Sequence, residues 1–258
     1  MASLMGRRVV VTGSGRGIGE RIAAAMAAEG AAVVVTARTG DQVEQAAAKI
    51  RSAGGVAHAI VADIADDESV SRLAEDSERL LGGPIDTLVN NAGVYKAAKF
   101  MDHDLEDWNW VLGVNVVATV RVSKAFVPAM LELERSRVIF VASVAGKKGS
   151  YGQAAYNASK HAQIAITRCM AIEYGDTNLR VNAICPGFTM TDLIDADEIA
   201  AVHGTDADTW WSGVEAASTI GRTVRLGEIA SLAVYLASPA ADGMNGQSLA
   251  IDGGILYA

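Results

Sequence analysis

Cysteine is almost absent from the 258-residue chain, with two residues, Cys169 and Cys185. Two cysteines cannot staple a small secreted scaffold, and their spacing matches no zinc-ligand pattern. They read as small buried hydrophobes in a reducing, cytoplasmic compartment. Proline is scarce as well, at four residues, and no proline-rich linker divides the chain. Aromatic residues make up 5 %, and 22 basic residues face 30 acidic ones for a formal net charge of −8. A general nucleic-acid binder needs a basic face to neutralise phosphate, so that class is excluded. No run of 18 uninterrupted apolar residues occurs, so no membrane-spanning segment is expected. Met1 to Arg8 lacks the apolar stretch of a signal peptide. His58, His103, His161 and His203 are scattered without companions at ligand spacing, so no metal is expected.

What the chain does contain is hydrophobic sequence, 50 % of its residues, in short β-branched runs between alanine-rich amphipathic segments. Strands are expected at 9–12, 32–36, 56–61, 87–89, 138–141, 180–184 and 248–251, with the first two helices over about 17–29 and 41–52. The apolar runs are continuous rather than alternating, as in strands covered on both faces. This strand–helix alternation predicts a single α/β domain over 1–258. It would be a doubly wound Rossmann fold with a parallel sheet of about seven strands and helices on both faces. One stretch departs from the pattern. Residues 188–220 hold no Lys or Arg, seven acidic residues and the pair Trp210-Trp211. An insertion of that length reads as a substrate lid, with a solvated helical hairpin packed on the core as the plainer alternative.

The first strand runs into Thr12-Gly13-Ser14-Gly15-Arg16-Gly17-Ile18-Gly19 and then a helix. Glycines let the backbone turn tightly and approach a pyrophosphate at the positive end of a helix. The spacing is T-G-x-x-x-G-x-G rather than G-x-G-x-x-G. At the end of the second strand, Thr36-Ala37-Arg38 carries no acid where one would bond a ribose 2′-hydroxyl. Arg38 offers a planar fork for phosphate, and Arg16 adds a second positive charge in the turn. Both point to NADP(H). Downstream, Tyr156 and Lys160 are four residues apart on one helical face. A nearby ammonium lowers the pKa of a phenol, and Ser143 can hold a carbonyl or hydroxyl oxygen.

With these features and Asp63, Asn90-Asn91-Ala92-Gly93, Asn115, Pro186-Gly187, Asn245-Gly246-Gln247 and Asp252-Gly253-Gly254, the chain resembles the short-chain dehydrogenases/reductases along nearly its whole length. Within that family it has a likeness to 3-oxoacyl-carrier-protein reductases. Gly146-Lys147-Lys148-Gly149 is similar to ketoreductases of aromatic polyketide pathways, but a solvated basic turn is the expected reading of Lys147 and Lys148. The resemblance implies an NADP(H)-dependent oxidoreductase that transfers a hydride between nicotinamide and a ketone or secondary alcohol. Tyr156 would be the acid/base, Lys160 would lower its pKa and bond the nicotinamide ribose, and Ser143 would orient the substrate oxygen. Asn115 would hold a water in the proton relay. Gly13, Ser14, Arg16, Gly17, Ile18 and Gly19 would line the phosphate turn. Asp63 and Ile64 would flank the adenine, and Asn90, Ala92 and Gly93 the ribose. Ile184, Pro186, Gly187, Thr189 and Thr191 would contact the nicotinamide side. A homotetramer built on the helices around 105–135 and 155–175 is also implied.

For substrate, Glu132, Glu134 and Glu173 would repel an acidic carrier protein, with Arg135, Arg137 and Arg168 nearby as a counterweight. The acidic insertion argues against anionic substrates, and Trp210, Trp211, Met190, Leu193, Ile194 and Tyr151 suggest an apolar, partly aromatic pocket. The expectation is a neutral small-molecule carbonyl or alcohol. A 3-oxoacyl-thioester reductase is the alternative within enzymes, and a non-catalytic dinucleotide-binding sensor the alternative outside them. The intact Ser143, Tyr156, Lys160 and Asn115 argue against a sensor, which needs no proton donor. Leu226 stands where family members commonly carry proline. Replacing Arg38 by Asp should weaken NADPH binding far more than NADH binding in titrations; equal losses would remove the phosphate assignment.

Overall fold

The computed structural model describes residues 4–257. The first three residues and Ala258, which belong to the expected 1–258 domain, lie outside the described residues. From the amino end the elements are β1 (Arg8–Thr12), α1 (Gly17–Ala28), β2 (Ala32–Ala37), α2 (Gly40–Ser52), β3 (Val56–Val61), α3 (Asp67–Leu81) and β4 (Thr87–Asn90). Next come α4 (Leu105–Leu112), a π-helical turn at Gly113–Ala118, α5 (Thr119–Leu131) and β5 (Ser136–Val141). They are followed by α6 (Ala154–Glu173), β6 (Leu179–Pro186), α7 (Ala196–His203), α8 (Ala207–Ala216), α9 (Leu226–Ala237) and β7 (Ser248–Ile251).

The seven strands form one sheet in the order β3-β2-β1-β4-β5-β6-β7, parallel at every pairing. The continuous apolar runs have a direct cause. Along β1, Val10 faces one hydrophobic layer with Val34, Leu88, Val138 and Phe140. Val9 and Val11 face the other, with Val33, Val35, Val89 and Ile139. Ile22 and Met26 of α1, Val43 of α2 and Ile229 of α9 cover the second layer. Leu73 of α3, Phe126 of α5 and Ile164 of α6 cover the first. The order of strand addition reverses between β1 and β4, so the loops leaving their carboxyl ends turn to opposite faces and leave a crevice, where open α/β sheets place their ligands.

Insertion 188–220 is a helical hairpin, and its acids have structural work. Asp195 caps α7 by accepting from the Asp197 and Glu198 amides, and Asp206 caps α8 by accepting from Thr209. Asp197, Glu198 and Asp208 lie in first turns, where carboxylates suit the helix dipole. Much of the acidic bias thus follows from capping two short helices. Leu226 is the first residue of α9, the position where proline is favoured for its fixed φ. Here Glu228 closes the helix start instead, accepting from the Arg225 amide at 2.9 Å and pairing with Arg222 at 2.7 Å.

Two expectations need correction. Cys185 is buried on β6, but Cys169 is exposed on α6, because its helical register points away from the sheet. The unbroken helical run Leu105–Leu131 is also long and apolar enough to cross a bilayer by length and composition, its polar residues being too sparse to offset the apolar ones. In the fold, Val122, Phe126 and Met130 of this run belong to the sheet's apolar layer.

Phe140 is fully buried at the centre of the sheet. Phe140→Ala is expected to cost about 3–5 kcal/mol by removing packed surface and leaving a cavity. A urea midpoint close to wild type at unchanged slope would contradict that placement.

Candidate active site

The crevice is a cavity of about 300 Å³ lined from both sides of the β1/β4 divide. On the β1 side, Gly13 has φ +61°, and a Cβ there would sit 2.7 Å from the Ala92 Cα. Gly17 has φ +62° and opens α1. Arg16 precedes α1 without capping it by its side chain, so the first amides of the helix stay available to an anion. Gly13, Arg16, Gly17 and Ile18 all line the cavity. Ser14 does not. Its hydroxyl is buried, donating to the Val11 carbonyl at 2.5 Å and accepting from the Thr36 amide at 2.9 Å, so it ties the turn to the sheet. Gly19 lies behind the turn, where a Cβ would come within 2.4 Å of the Asn91 amide nitrogen.

Arg38 lines the cavity from the end of β2 and is exposed. It has no ion-pair or hydrogen-bond partner among the described residues. Arg16 lies 3.2 Å from Asp192 of the insertion. Asp63, Ile64, Ala92 and Gly93 line the cavity as expected. Asn90 departs from expectation. Its side chain turns into the core and donates to Ser123 at 3.0 Å, because strand alternation sends it away from the crevice. The following residue, Asn91, is the one on the cavity wall, donating to the Thr12 and Gly13 carbonyls at 2.9 and 3.0 Å. Pro186, Gly187, Thr189 and Thr191 line the far side, whereas Ile184 is a core residue.

Ser143, Tyr156 and Lys160 meet at the middle of this cavity. Ser143 leaves the end of β5, its hydroxyl accepting from the Ala145 amide at 3.1 Å. Burial pushes the Tyr156 phenol up to about 12, with the neighbouring Ser143 hydroxyl pulling the other way. Lys160 is 3 % exposed, and burial lowers its ammonium to about 8. Its Nζ lies 5.5 Å from the centroid of the Tyr156 ring and donates to the Val141 carbonyl and to Gln163 Oε1, both at 3.0 Å. The ammonium thus lies within cation–π range of the Tyr156 ring.

Asn115 sits in the π-helical turn, fully buried and outside the cavity lining. Its side chain accepts from the Val94 amide at 2.8 Å and donates to the Val94 carbonyl at 2.9 Å. Its own carbonyl accepts from Gln163 Nε2 at 2.7 Å. Gln163, unremarkable in the sequence, thus joins Lys160 to Asn115. Tyr95 was equally hidden. Its ring stands edge-on to Tyr156 at 5.0 Å, and its hydroxyl is buried without a partner. The spacing after Asn90–Gly93 was the available signal for it.

On the substrate side, Phe188, Leu193 and Ile194 line the cavity opposite Val94 and Tyr95. Met190, Tyr151, Trp210 and Trp211 do not, contrary to expectation. Trp210 packs edge-on to Phe188 at 5.3 Å and anchors the hairpin through an apolar cluster with Ile199 and Val214. Met190 and Tyr151 point to solvent. Lys147 is exposed and donates to Ser248, while Lys148 is half-buried on the cavity wall rather than a solvated turn residue. Among the described residues no group of His, Cys, Asp and Glu is placed to hold a metal.

A buried tyrosine, a buried ammonium and a glycine turn at a sheet crevice are the arrangement found in dinucleotide-dependent oxidoreductases. The short chain dehydrogenase family model matches residues 7–199, and the chain belongs to that family. It is 37 % identical over 245 residues to the short-chain reductase protein NovJ of Streptomyces niveus, covering 95 % of this chain and 92 % of that one. It is 32 % identical over 255 residues to the 3-oxoacyl-[acyl-carrier-protein] reductase FabG of Aquifex aeolicus, covering 98 % of each. Among solved structures, a gluconate 5-dehydrogenase from Burkholderia cenocepacia J2315 in complex with NADP and tartrate superposes with a TM-score of 0.90. That match has 31 % identity and covers 100 % of this chain and 98 % of that one.

The depressed Lys160 has a testable sign. An unfolded lysine keeps its proton to the ordinary lysine value of 10.5, whereas the native one gives it up at about 8. The unfolded state then binds more protons between those values, so stability rises with pH across that window. Melting temperatures of wild type relative to Lys160→Met should climb between about pH 8 and 10; a constant offset would count against a buried ammonium.

Proposed function

We propose that the protein is an NADP(H)-dependent oxidoreductase interconverting a ketone and a secondary alcohol. The observation that carries this reading is the buried Lys160 ammonium against the Tyr156 ring, in a cavity continuous with the glycine turn. The residues fit the cofactor. Glycine at position 13 lets the turn pack directly against Ala92, where a Cβ would lie 2.7 Å from the Ala92 Cα, and Arg38 is unpaired among the described residues where a 2′-phosphate would sit. Gly13, Gly17 and the α1 amides would hold the pyrophosphate, and Arg38 with Arg16 the 2′-phosphate. Asp63 and Ile64 would flank the adenine, and Lys160 would bond the nicotinamide ribose. When bound, the nicotinamide supplies or accepts the hydride. Tyr156, kept protonated by burial at neutral pH, gives its proton to the carbonyl oxygen, and Ser143 orients that oxygen by a hydrogen bond. In oxidation the deprotonated form, the Tyr156 phenolate, takes the alcohol proton and returns to the phenol.

Phe188, Leu193, Ile194 and Val94 favour a neutral, partly apolar substrate. The acyl-carrier reading has a relative in its favour but three exposed acids, Glu132, Glu134 and Glu173, against it. Arg135 and Arg137 do not offset them, since both pair with Asp242, which leaves Arg168, exposed on α6, as the remaining counterweight. A homotetramer is supported by the exposed apolar side chains of Leu105, Trp110, Val117 and Ile172 on α4, the π-turn and α6. The test is NADPH consumption across neutral ketones, acyl-thioesters and keto acids. Turnover is expected with a neutral ketone, and Tyr156→Phe should lower kcat by a factor of about 100–10,000. Tight NADPH binding without turnover of any carbonyl would favour the sensor.

A further inference from the structure

Lys160 is a cation buried in the cavity wall, and the partners of its ammonium are specific. Its Nζ reaches two acceptors, the Val141 carbonyl at the end of β5 and Gln163 Oε1 one turn further along α6, each at 3.0 Å. Gln163 is fully buried. Its other amide atom, Nε2, donates to the Asn115 carbonyl at 2.7 Å, across 48 residues of sequence. Asn115 is in turn pinned to both backbone groups of Val94, next to Gly93 on the cavity wall. A Cβ on Gly93 would lie 3.2 Å from Asn115 Oδ1 and 3.8 Å from Lys160 Nζ, so the four groups are packed against one another.

The geometry points to Gln163 as a positioning residue for catalysis, a fixed amide bridge that orients the Lys160 ammonium and takes up the Asn115 carbonyl. The inference rests on the assignment of Tyr156 and Lys160 to the chemistry. Three physical points carry it. A primary amide is the neutral side chain that can accept from an ammonium at one end and donate to a carbonyl at the other. A carbonyl acceptor favours the charged form of lysine and so opposes the desolvation around it. The bridge also joins α6 to the π-helical turn, so the ammonium is held by covalently fixed dipoles rather than by mobile solvent. The expected relay water on Asn115 meets a carbonyl already engaged by Gln163 Nε2 and, at 3.0 Å, by the Thr119 hydroxyl.

The titratable groups that face Lys160 are Tyr156 on its own helix and Cys185 on β6, whose thiol burial pushes up; no carboxylate contributes. The lysine's charge therefore depends on neutral acceptors, of which Gln163 is the only side chain among the described residues.

The experiment compares kcat against pH for NADPH-dependent ketone reduction in wild type, Gln163→Leu and Gln163→Glu. Leucine removes the acceptor, so the alkaline limb should move down by about one pH unit. Glutamate keeps an acceptor at the same atom and adds negative charge, so the limb should move up. A merely structural role would lower kcat or stability in both variants with the limb fixed, and that result overturns the proposal. If Tyr156→Phe leaves turnover unchanged, the assignment of the chemistry fails instead, whatever Gln163 does. Should either variant not fold, the wild-type enzyme decides. Its Gln163 side-chain amide protons should exchange slowly with solvent and shift with the midpoint at which Lys160 titrates. Fast exchange with no such shift refutes the bridge.

Discussion

The ammonium of Lys160 lies where water scarcely reaches, and a cation moved there loses several kcal/mol of solvation unless fixed dipoles replace the water. The replacements are the Val141 carbonyl, at the end of a central strand, and the Gln163 amide. The strand end can be there only because β5 lies between β4 and β6, and the amide only because α6 packs on the sheet through Ile164. The π-helical turn completes the set by presenting the Asn115 carbonyl to Gln163. Such widened turns concentrate at functional sites because they change which backbone groups face inward. Loosening any one of these elements would leave a buried charge without a partner.

The same burial divides the labour of the two titrating groups. Tyr156 and Lys160 are shifted in opposite directions by one cause, the loss of solvation for whichever form is charged. The phenol is thereby kept protonated and the ammonium made easier to discharge. Around them the cavity changes character along its length. The glycine turn with Arg16 and Arg38 forms a cationic end, and Phe188, Leu193 and Ile194 form an apolar end. The hairpin is held by its own tryptophan cluster and by a Lys96–Glu198 ion pair at 2.5 Å. Its acids are largely absorbed by helix capping, which weakens any argument from their charge to the substrate's.

Most of the fold was legible in the order of elements. Each strand's apolar run and each helix's amphipathic stretch is a local pattern, and a parallel sheet with covered faces is the architecture such alternation favours. Boundaries shifted by a residue or two, as at β6, which runs from Leu179 through Pro186. The site was legible where function depends on spacing within one element. Tyr156 and Lys160 share a helical face by periodicity alone, and the glycine turn is a strand-to-helix transition visible in the sequence. Legibility ended where a side chain's role depends on which neighbour it meets. Asn90 and Asn91 are adjacent and chemically identical, yet strand alternation sends one to the core and the other to the crevice. Trp210 had the composition of a pocket residue and became a hairpin anchor.

The fold class, the glycine turn after β1, the place of Arg38 after β2 and the tyrosine–lysine pair were all readable along the chain. All of these follow from periodicity and from short-range conformational rules. Only the tertiary structure decided that Gln163 bridges Lys160 to Asn115, that Tyr95 backs Tyr156, and that Ser14 and Gly19 support the turn without lining it. Those roles require residues far apart in the chain to approach within hydrogen-bonding or van der Waals distance. That proximity is set by the packing of α6 and the π-helical turn against the sheet, which no local pattern encodes.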